Sequence, residues 1–184
     1  MTQGRRLTHF AIVFAALATV SSCMTIPTID PAKERQLVAE QTVAPADSVT
    51  VLSRCQFGIV PGDRREMIDG VCAVSNGRLV LRTVDQASGR TQPFRVFEPE
   101  KGLSVAFCDS AMLKQTQLLA PGYSVGLVAR PDGRVGFNDV ATRALYDALV
   151  EAGWPAVPAK RRVNPSEGMP GFNAVGPTLA CSFL

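Results

Sequence analysis

Val71-Cys72-Ala73-Val74-Ser75-Asn76-Gly77-Arg78-Leu79-Val80-Leu81 carries the strongest structural signal in the chain. Two apolar runs flank Asn76-Gly77, the residue pair that most readily takes the two left-handed conformations of a type I′ hairpin turn. A two-residue turn there pairs Val74 with Leu79 and Cys72 with Leu81. Side chains alternate across a strand, so Cys72, Val74, Leu79 and Leu81 share one face, which is assigned to the core. Cys72 then points inward, as a structural cysteine should.

Strand patterning extends from about Ser48 and continues past the hairpin. Phe94-Arg95-Val96-Phe97 and Leu103 to Phe107 flank a Glu100-Lys101-Gly102 turn, with Leu103, Val105 and Phe107 on one face and Cys108 at the strand's end. A strand near Leu113–Leu119 is diluted by Lys114-Gln115-Thr116-Gln117. Tyr123–Arg130 and Arg134–Phe137 flank Pro131-Asp132-Gly133, which predicts a bulged hairpin with Gly133 left-handed and with Leu127, Ala129, Val135 and Phe137 facing the core.

The period then changes. Ala141, Ala144, Leu145, Ala148, Leu149 and Ala152 recur at helical spacing after Asp139, a good N-cap. Gly153 suits a left-handed C-cap, Pro155 stops the helix, and Trp154 is expected to pack at its end. The expected fold class is α+β: a small antiparallel, partly closed sheet, one C-terminal amphipathic helix and an irregular tail rich in proline and glycine. The domain spans 48–154, and the tail, 155–184, is tied back through Cys181. Residues 23–47, with Pro27, Pro31 and Pro45, read as a flexible tether. Within it Asp30-Pro31 offers an N-cap and first turn for a short helix to about Gln41, without an evident apolar face.

Composition excludes several chemistries. The one histidine, His9, lies near the N-terminus, so residues 23–184 have none. That removes Ser-His-Asp and Cys-His catalysis and every His-containing zinc site. Arg5 and Arg6 are the only charged residues among 1–22, which leaves the remainder near neutral and argues against a nucleic-acid partner. Cys55, Cys72, Cys108 and Cys181 form an even set without a Cys-x-x-Cys, and predict two disulfides whose pairing is open.

Residues 1–22 form a leader. Arg5 and Arg6 precede an apolar run from Phe10 to Val20, too short to cross a hydrocarbon core of about 30 Å. Its end, Val20-Ser21-Ser22-Cys23, resembles the lipobox of bacterial lipoproteins. The resemblance implies a signal peptide over 1–22, diacylglycerol on Cys23, cleavage before it and frequent acylation of the new amino group. It places the protein in the cell envelope, facing the periplasm, and Met24 in place of Asp leans towards the outer membrane. Ala16-Leu17-Ala18 also suits an ordinary signal peptidase, which would leave Cys23 incidental.

Over about residues 50–153, the order of short strands and a closing helix resembles a pleckstrin-homology-like barrel. It rests on element order and on Gly133-Arg134-Val135-Gly136-Phe137 feeding the helix. It departs from that pattern because the tryptophan usual inside the helix is missing, Trp154 lying just beyond it.

Apparent motifs carry little. Gly122-Tyr123-Ser124-Val125-Gly126 matches a nucleophile elbow, but Ser124 falls inside an expected strand with no histidine to take its proton. Glu98 with Glu100, and Asp63 with Glu66 and Asp69, read as solvated carboxylates with no calcium-loop spacing. Lys160-Arg161-Arg162 and Asp63-Arg64-Arg65 read as solvated charge, the first able to touch anionic lipid. No catalytic residue, metal site or cofactor is expected. The function expected is a non-enzymatic envelope binding or assembly module, held on the membrane through Cys23, with a protein or glycan partner. The alternatives are a hydrolase or transferase acting through carboxylates or Ser124, and a purely structural or inhibitory lipoprotein.

Overall fold

A computed structural model describes residues 26–60, 67–110 and 113–159. Cys23, Asp63-Arg64-Arg65, Glu66, Lys160-Arg161-Arg162 and Cys181 lie outside the described residues. The described part is α+β, with one open antiparallel sheet of seven strands and two α-helices. Helix α1 is Pro31–Thr42; the strands are β1 Val49–Val60, β2 Ile68–Ser75, β3 Arg78–Val84, β4 Thr91–Phe97, β5 Ser104–Asp109, β6 Lys114–Ala120 and β7 Tyr123–Ala129; helix α2 is Asp139–Glu151.

The Asn76-Gly77 turn forms as read. Both residues have positive φ, 48° and 72°, and Val74 pairs with Leu79 and Cys72 with Leu81. The sheet is built around β1, whose 12 residues pair with β2 over Val49–Phe57 and with β7 over Cys55–Val60. The strand order is β4-β3-β2-β1-β7-β6-β5, so β4 and β5, joined by the Glu100-Lys101-Gly102 turn, are the two edges and do not pair. The expected partial closure is therefore curling without a closed ladder. In a flat sheet the four steps from β4 to β7 would separate them by about 19 Å. Instead the Arg95 guanidinium of β4 lies 5.5 Å from the centre of the Tyr123 ring of β7.

The concave face holds the main core. Cys55, Phe57, Cys72, Val74, Leu79, Leu81, Val105, Leu118, Val125 and Leu127 pack there against Leu145, Leu149 and Trp154. Cys55 and Cys72 are joined by a disulfide with Cα atoms 5.8 Å apart. Cys108 is also disulfide-bonded, to a cysteine outside the described residues. It sits on the opposite face, where Ala106 and Ala159 cover it. Part of the expected tail is thus tied back along the β5 edge: Val105 N–H donates to Pro155 O and Val157 N–H to Val105 O, both at 2.8 Å.

Helix α2 crosses the concave face. Its cap is Asn138, one residue before the expected Asp139, with Asn138 Oδ1 accepting from Ala141 N–H at 3.0 Å. Gly153 takes φ 88°, and Trp154 packs at the helix end, its indole N–H donating to Gly77 O at 2.7 Å. That bond ties the helix to the hairpin turn. The polar stretch of β6 is a complete strand because its side chains have partners. Thr116 Oγ1 donates to Thr142 O at 2.6 Å, and Gln117 Nε2 donates to Gln115 Oε1 at 3.1 Å.

Two expectations are corrected. Arg134–Phe137 is not a strand, and Val135 and Phe137 point to solvent rather than to the core. Gly133 is left-handed as expected, but Gly136 also takes a positive φ, 130°, which breaks the extended backbone a strand requires. The helix expected in the tether forms with Asp30 capping Ala32 and Lys33 N–H, but it docks on the convex face of β1–β3. Only Val38 and Ala39 supply its buried apolar contact; the rest is polar.

Closing a 17-residue separation, the Cys55–Cys72 bridge should contribute about 3 kcal/mol. The double variant Cys55→Ala/Cys72→Ala is expected to lose that much in urea unfolding. A loss below about 1 kcal/mol would show that the core alone holds β1 to β2.

Candidate functional site

One end of the domain gathers the N-terminal segment 26–30, the β3–β4 loop 85–90 and the β7–α2 loop 130–138. The side chain of Arg54, on the convex face of β1 and 2% exposed, donates to Pro27 O and lies 3.9 Å from Asp132 Oδ1 and 4.0 Å from Asp69 Oδ2. Asp69 also takes an ion pair from Arg130 at 3.1 Å. Ile29 N–H donates to both carboxylate oxygens of Asp132 at 3.2 Å. A buried arginine and a loop carboxylate therefore fasten residues 27–29 to the sheet.

Both loops give way to that segment at a glycine. A Cβ on Gly89 would meet Pro27 Cβ at 3.0 Å, and one on Gly133 would meet Thr28 Cγ2 at 2.9 Å. Both glycines have positive φ, 68° and 65°.

Beside this junction a cleft of about 860 Å³ opens between α1 and the β3–β4 hairpin. Thr28, Lys33, Leu37, Glu40, Arg90 and Pro93 are among its lining residues. Its floor is a buried ion pair: Arg82 Nε lies 3.3 Å from Glu34 Oε2, with side chains 3% and 6% exposed. Thr91 Oγ1 donates to Glu34 Oε1 at 2.7 Å, and Arg82 donates to Gln41 Oε1 at 2.9 Å and to Thr91 Oγ1 from Nε and Nη2. The two floor charges are paired, although Glu34 Oε2 accepts no hydrogen bond, and the rim carries Lys33 and Arg90 together with Asp30 and Glu40. Such a balanced rim suits a neutral or zwitterionic polar group.

The β3–β4 loop is ordered by Asp85. Its carboxyl is held below the usual carboxylate range, first by the Ser88 backbone N–H at 2.7 Å and then by the Ser88 hydroxyl at 2.9 Å. Ala87 N–H and Arg90 act in the same direction. A lowered folded-state value means these bonds hold in full above the ordinary carboxylate pKa and are lost as pH falls through the lowered one.

The remaining sequence candidates are dispersed. Ser124 sits within β7, opposite Leu119 and Val60, rather than on a strand-to-helix turn. Glu98 pairs with Arg78 at 3.2 Å, and Glu100 stands exposed in the β4–β5 turn. Asp69 belongs to the Arg54 cluster, away from Glu98 and Glu100 in the pairing. Among the described residues, no group of three His, Cys, Asp or Glu side chains is placed to hold a metal, and no helix is long and apolar enough to cross a membrane. Arg54, Arg82 and Glu34 were not singled out from sequence. For the first two, the available signal was an arginine beside a core-facing residue of a strand, Cys55 next to Arg54 and Leu81 next to Arg82.

No protein-family model matches the chain, and no curated protein matches it.

Removing one partner of a buried pair strands the other's charge, which costs about 3–5 kcal/mol. Arg82→Met should destabilise by that order in urea, and Glu34→Gln/Arg82→Met by clearly less. Additive losses in the double variant would contradict a direct pair. On acidification below the carboxylate range, the protection of the Ala87 and Ser88 amides relative to their intrinsic exchange rate at each pH should fall while β2 and β3 stay protected. Unchanged protection factors at both would remove Asp85 as the organiser of the loop.

Proposed function

We propose that the chain is a lipid-anchored protein of the bacterial cell envelope whose α+β domain is a binding or assembly module, not an enzyme. The observation that carries this reading is Val20-Ser21-Ser22-Cys23 closing the apolar run that follows Arg5 and Arg6. Diacylglycerol on Cys23, with a further acyl chain on its amino group, anchors stably, where a single chain binds only marginally. Met24 favours the outer membrane, and the domain faces the periplasm. The Cys55–Cys72 bridge supports an oxidising compartment. With Cys23 carrying lipid, Cys181 is the cysteine left to pair with Cys108.

The pleckstrin-homology-like resemblance has support in the topology. Consecutive strands pair except at one opening between β4 and β5, a long β1 bridges both halves, and the C-terminal helix packs across the concavity. For the partner, a protein or glycan, the cleft rim between α1 and the β3–β4 hairpin offers paired charges and Leu37. The outer edge of β4, which pairs with no strand among the described residues, offers backbone groups to an added strand, although Pro93 and the irregular register beside it limit that edge.

Metabolic labelling with a fatty-acid analogue should mark the wild-type protein and not Cys23→Ala. Unlabelled wild type, or undiminished labelling of the variant, would overturn the anchor. Non-reducing peptide mapping should recover Cys108 joined to Cys181. In crosslinked envelopes, Lys33→Glu/Glu40→Lys should lose the partner that wild type captures. Unchanged capture would move the binding surface away from the cleft.

A further inference from the structure

The loop between β7 and α2 presents an apolar tip that the fold leaves uncovered. Val135 is 84% exposed, Phe137 55% and Val140, in the first turn of α2, 82%. Arg134 beside them is exposed, and Arg90 stands exposed on the neighbouring β3–β4 loop. Asp132, the acidic residue of the loop, is turned to Ile29 N–H and Arg54, so its charge is engaged away from the tip, while Asp139 at the start of α2 stands exposed beside Val140 and is balanced by Arg134 and Arg90. Asn138 N–H donates to Ala129 O at 2.9 Å, which closes the loop into a short excursion from the end of the sheet.

The loop stands beside residues 26–30, the first described residues of the chain. A side chain at Gly133 would collide with Thr28, and Ile29 is bonded to Asp132. Two residues, Met24 and Thr25, lie between Cys23 and Ile26, a span of at most about 11 Å. A lipid on Cys23 therefore cannot hold the domain at a distance; it brings this end of the sheet against the membrane. We infer that Val135 and Phe137, flanked by Arg134 and Arg90, lie in the headgroup region of the bilayer to which Cys23 is attached, and fix the domain's orientation on it. The inference rests on the anchor reading and adds the surface that the anchor presses to the lipid. Exposed apolar side chains beside basic ones suit that boundary, the rings and methyls entering the acyl margin and the guanidinium groups meeting lipid phosphates.

The test uses full-length, acyl-labelled protein in phosphatidylethanolamine–phosphatidylglycerol vesicles, with and without dibrominated acyl chains that quench tryptophan. Phe137→Trp, and separately Val135→Trp, place probes at the tip, where both native side chains are already exposed. Wild type carries only Trp154, which is buried beyond the far end of α2, some 20 Å from the helix start. Val43→Trp reports from the other end of α1, about 18 Å from its first residue. Both tip probes should lose roughly half of their emission in brominated vesicles, as expected for burial about 5–10 Å into the interface, while Trp154 and the probe at 43 keep theirs. Quenching at neither tip position in labelled, vesicle-bound protein overturns the inference and leaves the anchor standing. Equal quenching at 43 and 137 overturns it too, since the domain would then have no fixed face. Absence of the acyl label overturns the anchor reading, and this inference with it.

Discussion

Everything in this domain hangs from the double pairing of β1. One 12-residue strand cannot supply ladders to both β2 and β7 along a flat sheet and still bring β4 beside β7; the sheet has to curl around it. Curling gathers Phe57, Leu81, Leu118 and Leu127 onto one concave face, deep enough to seat α2. The same strand places its two faces in different roles. Cys55 turns inward to bind Cys72, and Arg54, its neighbour, turns outward to hold Pro27 and approach Asp69 and Asp132. The core and the N-terminal junction are therefore set by adjacent residues of one strand.

The convex face is covered by unusual means. Helix α1 has too narrow an apolar stripe to dock by burial alone, and at 12 residues it is marginal in isolation. It is held by the Glu34–Arg82 pair, by Arg35 donating to Val49 O at 2.5 Å, by Arg78 donating to Thr42 O at 3.0 Å, and by Thr42 bonded to Ser75 at 3.0 Å. Such polar docking is directional where apolar burial is not. It sets the cleft and fixes the direction from which the N-terminal segment, residues 26–30, arrives at α1.

Much of this was legible in the sequence, and the omissions have physical reasons. Asn76-Gly77 revealed the hairpin and the inward Cys72 because the turn needs two positive φ values and leaves only one register. Helix α2 was legible because Leu145 and Leu149 sit on a regular stripe. The docking of α1 was not, because an arginine–carboxylate pair between residues 34 and 82 leaves no periodic trace. Strand β6 reads as diluted because its buried polar residues find partners that the apolar pattern does not show: Thr116 bonds to Thr142 O of α2, and Gln117 to Gln115. The Arg134–Phe137 segment misled in the opposite direction: its alternation was that of a strand, yet two positive-φ glycines carry the chain out into solvent. The side chains expected in the core there, Val135 and Phe137, are the ones left exposed beside residues 26–30.

The central claim is that the folded unit begins before α1, so that the N-terminal segment is part of the domain and not a leash. Native-state amide hydrogen exchange tests it most directly. The α1 amides from Arg35 to Thr42 should be protected on the same scale as those of β1 and β2, and should lose protection when Arg82 is replaced. Exchange of those amides at the rate of an unstructured peptide, with β1 and β2 still protected, would contradict it.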